Sequence, residues 1–188
     1  MNIDKQLIII FGGHDYSGKS TIAKYLSDCL NIPIFKDYSM VNKVKKDNVK
    51  TAFMYDQDYI VQFLEQTKYS VIFDRGYESE WVYNKVFSHK IVGFSEQQYL
   101  NQMKFIDTQF AQLDTKIIIC EKDIKFANFK DDMVDFNDIE LIKKTYDKFI
   151  KWTACDCIKL STTKEDIVYQ IRKINNFLIQ KRKKNEPI

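Results

Sequence analysis

Five short apolar runs punctuate this chain: "LIIIF" at 7–11, "IPIF" at 32–35, "YSVIFD" at 69–74, "KIIIC" at 116–120 and "CIKL" at 157–160. Short continuous apolar runs of this kind predict strands buried on both faces, as in a parallel sheet. Between them the apolar positions recur at helical spacing. Residues 19–30 carry Ile22, Ala23, Leu26 and Leu30, and residues 52–66 place Phe53, Ile60, Phe63 and Leu64 along one side. Helices are also predicted over 77–88, over 96–113, and over 137–151 with Ile139, Ile142, Tyr146 and Phe149. The last, 163–182, opens with a cap-like Ser/Thr cluster and carries Ile167, Ile171, Ile174 and Leu178. Strands alternating with helices predict a doubly wound α/β fold: a five-stranded parallel sheet flanked by helices on both faces. No internal repeat or linker interrupts it, so residues 1–182 read as one domain and 183–188 as a flexible basic tail.

Composition narrows the class. The 188 residues are 45% hydrophobic with 2 prolines, enough for one domain with a substantial core and unlike a disordered chain. No apolar run approaches the length of a membrane span, and the first residues lack the basic-then-apolar layout of a signal peptide. A soluble, intracellular (cytoplasmic) protein with no membrane partner is therefore expected. A formal charge of +3 neither demands nor excludes a polyanion, and without an RNA-binding motif nucleic acid ranks low as a partner. All but three of the 29 basic residues are lysine, which makes Arg75 conspicuous. Cys29 and Cys120 lie in apolar stretches and are expected to be small buried hydrophobes. Cys155 and Cys157 have no second Cys/His pair at zinc spacing, so an unligated reading is favoured there.

Three of the 5 glycines fall in "FGGHDYSGKST", residues 11–21, between the first strand and the first helix. Gly13-His14-Asp15-Tyr16-Ser17-Gly18-Lys19-Ser20 fits G-x-x-x-x-G-K-[ST] in the strand–loop–helix context that this phosphate-binding motif requires. Its glycines let backbone N–H groups wrap a polyphosphate, and the helix N-terminus adds partial positive charge. Lys19 reaches the outer phosphates and Ser20 offers a hydroxyl to Mg²⁺. Asp15 is an oddity, an acid in an anion-binding loop.

The third strand ends in Asp74-Arg75, at the sheet edge where open α/β folds bind ligands. Asp74 could act through the metal's water shell or orient an attacking oxygen, and Arg75 offers a planar fork to a phosphate. The plainer alternative makes Asp74 a helix cap and Arg75 a surface charge. Beside a phosphate loop the functional reading is favoured.

Together the two segments resemble thymidylate kinases and their nucleoside and nucleotide kinase relatives, a branch of the P-loop phosphotransferases. That family's loop reads F-E-G-x-D-G-x-G-K-S-T, matched here at Phe11, Gly13, Asp15, Ser17, Gly18, Lys19, Ser20 and Thr21. Its second motif, D-R-[YFH]-x-x-S-x-x-A-Y-Q, is matched at Asp74, Arg75, Ser79, Tyr83 and, more loosely, Asn84. The resemblance implies the P-loop kinase fold, ATP with Mg²⁺, and a nucleoside monophosphate acceptor. It also implies that Asp15 contacts the sugar hydroxyl, that Arg75 clamps the acceptor phosphate, and that Ser79, Tyr83 and Asn84 line the base end. For Trp81 core packing is the preferred reading; Tyr83 fits core and site equally. Relatives are often homodimers, which leaves a homodimer open.

Three departures stand out. The family's Arg-Glu-Pro-Gly-like stretch after the second strand is replaced by "FKDYSM" at 35–40, so Lys36 or Tyr38 must substitute. Tyr16 replaces a loop glycine. The lid segment, about 121–136, contains no arginine, only Lys122, Lys125 and Lys130. A lysine supplies charge without a bidentate fork. The expected activity is transfer of the ATP γ-phosphoryl to a deoxynucleoside monophosphate, dTMP or a related pyrimidine. The alternatives are a deoxynucleoside kinase with Asp37 as base, and a non-catalytic nucleotide-binding regulator.

Overall fold

In the computed structural model the described residues are 5–36, 49–87, 94–123, 136–163 and 166–179. The predicted strands and helices appear in the expected order: β1 (Ile8–Gly13), α1 (Lys19–Leu30), β2 (Ile34–Lys36), α2 (Val49–Thr67), β3 (Val71–Asp74), α3 (Tyr77–Phe87), α4 (Glu96–Gln112), β4 (Lys116–Glu121), α5 (Phe136–Ile150), β5 (Asp156–Ser161) and α6 (Ile167–Ile179). All five strands pair parallel, in the order β2-β3-β1-β4-β5.

The alternation of side chains along β1 explains why its run is apolar throughout. Ile8 and Ile10 enter one core with Tyr77, Trp81, Met103, Phe110 and Phe149. Ile9 and Phe11 enter the other with Ile22, Leu26, Leu160 and Ile174. Helices cover both faces, so neither set meets water. Truncating one such isoleucine to alanine typically costs about 2–5 kcal/mol.

Register positions the functional edge. Phe11 and Lys36 both lie opposite Asp74, and Gly13 lies opposite Cys120. The carboxyl ends of β1, β2 and β3 therefore finish side by side, bringing the phosphate loop, Lys36 and Asp74-Arg75 to one place. Open parallel sheets bind their ligands at this edge.

Some expectations are corrected. Among the described side chains of α2, Gln57, Val61 and Leu64 are buried and Ile60 packs partly buried on the core, whereas Phe63, predicted on the same side, is 53% exposed and stacks on Tyr69; the Phe53 side chain lies outside those described. Cys120 is buried as expected, but Cys29 is exposed. Cys155 is buried, its thiol 3.6 Å from the Tyr77 hydroxyl, and Cys157 is partly buried. Helix α6 starts at Ile167, where the Asp166 carboxylate accepts the Val168 N–H; Ser161 ends β5 instead of opening a helix. Trp81 is core, packed on Phe149 and Trp152. Lys125, Lys130, Asp37, Tyr38 and the 183–188 tail lie outside the described residues, as does most of the lid segment.

Candidate active site

The loop between β1 and α1 is shaped by two glycines. Gly13 has φ 132°, and a Cβ there would sit 2.2 Å from the Cys120 carbonyl oxygen, so no side chain fits. Gly18 caps α1 at φ 80° with no side-chain hydrogen bond to the first turn, leaving the helix N–H groups for an anion. Lys19 folds back over the loop, its Nζ donating to the His14 carbonyl at 3.3 Å. Burial first, and then the nearby Arg75 charge, push its pKa down to about 8. A polyphosphate in this loop would reverse that shift by supplying the missing negative charge.

Asp15 is held by the second motif. Its carboxylate accepts from Arg75 Nη2 on one oxygen and from the Tyr83 hydroxyl, at 2.9 Å, on the other. The guanidinium lies over the Tyr83 ring, 4.8 Å from its centroid. Burial opposes the Arg75 charge, but Tyr83 and Asp15 outweigh it and raise its pKa further. Burial also pushes the Tyr83 phenol up to about 12, so it stays a donor. Arg75 itself sits at φ 77°, pinned by its N–H to the Phe11 carbonyl at 2.9 Å. A left-handed non-glycine residue of this kind is maintained only by its surroundings, and such strain clusters at functional sites.

These groups open into one pocket of about 330 Å³ lined by Asp15, Tyr16, Lys19, Ser20, Lys36, Asp74 and Arg75. Tyr16 adopts φ 61° and is 42% exposed on its rim, taking a left-handed turn without glycine. Ser17 is buried and Thr21 is exposed, both away from the pocket wall. Of the residues predicted for the base end, Ser79 is buried and hydrogen-bonded to Glu78 and Tyr146, and Asn84 is buried. Tyr83 reaches the site through Asp15 instead of lining the pocket. Lys122, at the start of the lid segment, meets the loop through its backbone.

Among the described residues no three His, Cys, Asp or Glu side chains gather into a metal site. Mg²⁺ does not require one, since it commonly takes one or two protein oxygens and fills its shell with water and substrate phosphates. Ser20 and Asp74 both face the pocket, and Asp74 Oδ1 is buried without a hydrogen-bond partner. Those two groups suit the ion.

Two residues escaped sequence reasoning in their actual roles. His14 is fully buried: Nδ1–H donates to the Asp15 carbonyl at 2.6 Å and Nε2 accepts the Lys122 N–H at 3.1 Å. Burial lowers its pKa and keeps it the neutral tautomer this bridge needs. Glu78 is completely buried beneath Arg75's turn. Glu78 is spaced as one more acid at a helix start, so no sequence signal marked it.

A phosphate loop after the central strand of a 2-3-1-4-5 parallel sheet, facing an Asp-Arg pair across one pocket, defines a P-loop kinase fold. Within that class, the chain belongs to the polyphosphate kinase 2 family, whose model matches residues 1–126. It is thus a member of a phosphotransferase family. No curated protein matches the chain. Among solved structures it is similar to the YorR protein of Bacillus subtilis in complex with phosphorylated GDP, at 23% identity and TM-score 0.67, covering 92% of this chain and 95% of that one. It is also similar to thymidylate kinase from Candida albicans (17%, TM-score 0.58, covering 93% and 94%) and to deoxyadenosine kinase from M. mycoides with dCMP (21%, TM-score 0.53, covering 92% and 98%). At such identities the likeness is one of fold, so the thymidylate kinase resemblance holds for architecture.

Proposed function

We propose that this protein is a nucleotide kinase that moves the terminal phosphoryl group of a Mg²⁺-bound donor onto a nucleoside monophosphate, with deoxypyrimidine monophosphates such as dTMP the first acceptors to test. One observation carries the reading: a single pocket joins Lys19 and Ser20 on the donor side to Lys36, Asp74 and Arg75 on the other. The loop amides and Lys19 would hold the donor phosphates, and Ser20 and Asp74 would hold Mg²⁺, which when bound would supply positive charge beside the transferred group. Arg75 presents its guanidinium, preset by Asp15 and Tyr83, to the acceptor phosphate. Asp15 keeps one oxygen directed at Tyr83, a position from which a sugar hydroxyl could displace the phenol. Phosphoryl transfer asks mainly for such positioning and charge stabilisation.

The family match favours a second donor, inorganic polyphosphate. The cations Lys19, Lys36 and Arg75 among the described lining residues give the pocket a charge that suits a phosphate chain. One assay separates the donors: Mg²⁺, each nucleoside monophosphate in turn, and either ATP or a polyphosphate chain, with nucleoside diphosphate measured. Lys19→Ala should lower turnover at least ~100-fold with the preferred donor, and Arg75→Ala should chiefly raise the acceptor KM. No diphosphate from any pairing would overturn the proposal.

A further inference from the structure

Beneath the Asp74-Arg75 turn lies a carboxyl group with no evident reason to be there. Glu78, in the first turn of α3, is 0% exposed. Its Oε1 accepts the Gly76 N–H at 3.3 Å and the Ser79 hydroxyl at 2.7 Å, while Oε2 is buried with no partner. The chain makes room for it twice. A Cβ on Gly12 would lie 3.0 Å from Oε1, and a Cβ on Gly76 would lie 2.8 Å from Oε2. Both glycines thus leave space beside this group, Gly12 sharing it with Ile119 and Tyr146 at the end of β1 and Gly76 with Ile10 in the turn that carries Arg75.

The contacts run towards Arg75 by two routes. Through Gly76 N–H the carboxyl fixes the residue next to Arg75, whose left-handed backbone needs outside support. Through Ser79 it continues to the Tyr146 hydroxyl, 3.0 Å from Ser79 Oγ. Tyr146 in turn lies within electrostatic reach of Tyr83 and Arg75.

We infer that Glu78 is a positioning residue for Arg75, acting in its neutral, protonated form as a wedge between β1 and the Arg75 turn. Oε2 lies against Gly76, where an added Cβ would meet both Oε2, at 2.8 Å, and Ile10 Cγ2, at 3.0 Å. An ionised oxygen there would be a buried charge with no donor, whereas a neutral acid leaves only a hydroxyl to accommodate. Burial raises the Glu78 pKa to about 7, against the smaller opposing pull of the Ser79 hydroxyl and the backbone N–H groups of Glu78, Ser79 and Gly76. Among the described residues the other titratable groups facing it are Tyr146 from α5 and Cys157 from β5, both raised by burial and neutral through this range. Ionisation near neutral pH therefore falls to Glu78, and it would loosen the turn that aims the guanidinium.

The inference rests on the kinase reading only for its kinetic consequence, so the test has two arms. The chain has three arginines, which makes the Nε–H signals of ¹⁵N-arginine-labelled, ligand-free protein simple to follow. The Arg75 signal should shift with pH around neutrality in the wild type and lose that component in Glu78→Gln, which keeps the acceptor to Gly76 and cannot ionise. Burial and the Arg75 charge push the nearby Lys19 down to about 8, close to this range, so the difference between wild type and Glu78→Gln is the readout. A ¹³C titration of the Glu78 carboxyl in the wild type needs no variant at all. A Glu78 midpoint between 4 and 5 would overturn the inference. So would an Arg75 titration unchanged in Glu78→Gln. In the kinetic arm, ionisation of the acceptor phosphate and of Lys19 is common to both proteins, so the ratio of wild-type to Glu78→Gln acceptor KM should rise several-fold from about pH 6 to about pH 8, the donor KM changing alike in both. If no acceptor is turned over, the kinase reading fails while the spectroscopic arm still decides Glu78.

Discussion

Asp15 shows how a residue can be legible in type and illegible in partner. The loop pattern marks it as an acid among phosphate-binding amides, but its carboxylate is committed to Arg75 and Tyr83, 60 and 68 residues away. Only the register that ends β1 and β3 together brings them into reach. Glu78 is harder still to see, because its importance comes from space left by Gly12 and Gly76. Where the thymidylate kinase pattern has glutamate, this chain has Gly12, and the carboxyl beside it comes from α3. Its pKa makes a separate stability prediction. The usual value of 4.5 governs the unfolded chain and about 7 the folded one, so the folded state binds more protons between them. Stability contributed by the neutral group is therefore present below pH 4.5 and lost as pH rises to 7. Complete loss would amount to about 3 kcal/mol. Denaturant unfolding should show the wild type weakening across that window more than Glu78→Gln. Parallel curves for the two proteins would refute it.

Elements were more readable than residues. Strands buried on both faces announce themselves as unbroken apolar runs, and the ends of α1 and α4 agree with the expected spans to within one residue. Alternation and spacing are local, so they survive without knowledge of the fold. What failed depended on neighbours: Phe63 of α2, which lies on Tyr69 instead of in the core, and what the Ser/Thr cluster after β5 does. Ser and Thr serve caps and loop ties with the same hydroxyl. Here the Thr162 hydroxyl bonds to the Ser17 carbonyl at 2.7 Å and the Glu121 carbonyl at 3.1 Å, joining the phosphate loop to the ends of β4 and β5. Thr162→Val keeps the shape and removes both bonds. It should cost about 1–2 kcal/mol in stability and raise the donor KM more than the acceptor KM. Thermal unfolding and the two KM values measure this; unchanged donor affinity would show that the tie is not part of donor binding.

For the whole molecule, the sheet order assembles a site from segments none of which binds alone. The loop belongs to the central strand, its flanks to β3 and β4, and within it burial and the Arg75 charge hold the Lys19 pKa down until an anion arrives. A ligand that relieves this binds the folded chain and not the unfolded one, so it must raise the unfolding temperature. At 100 times its Kd the gain is about 2.7 kcal/mol, which for a chain of this size means a shift of roughly 5–10 °C. Comparing Mg²⁺ with ATP against Mg²⁺ with inorganic polyphosphate therefore ranks the donors without any acceptor being known. Lys19→Ala should erase most of the shift for whichever donor produces it, because that cation is buried against the loop and has no replacement among the described pocket residues on the donor side. Equal shifts in wild type and Lys19→Ala would mean that these polyphosphates dock somewhere other than the loop after β1.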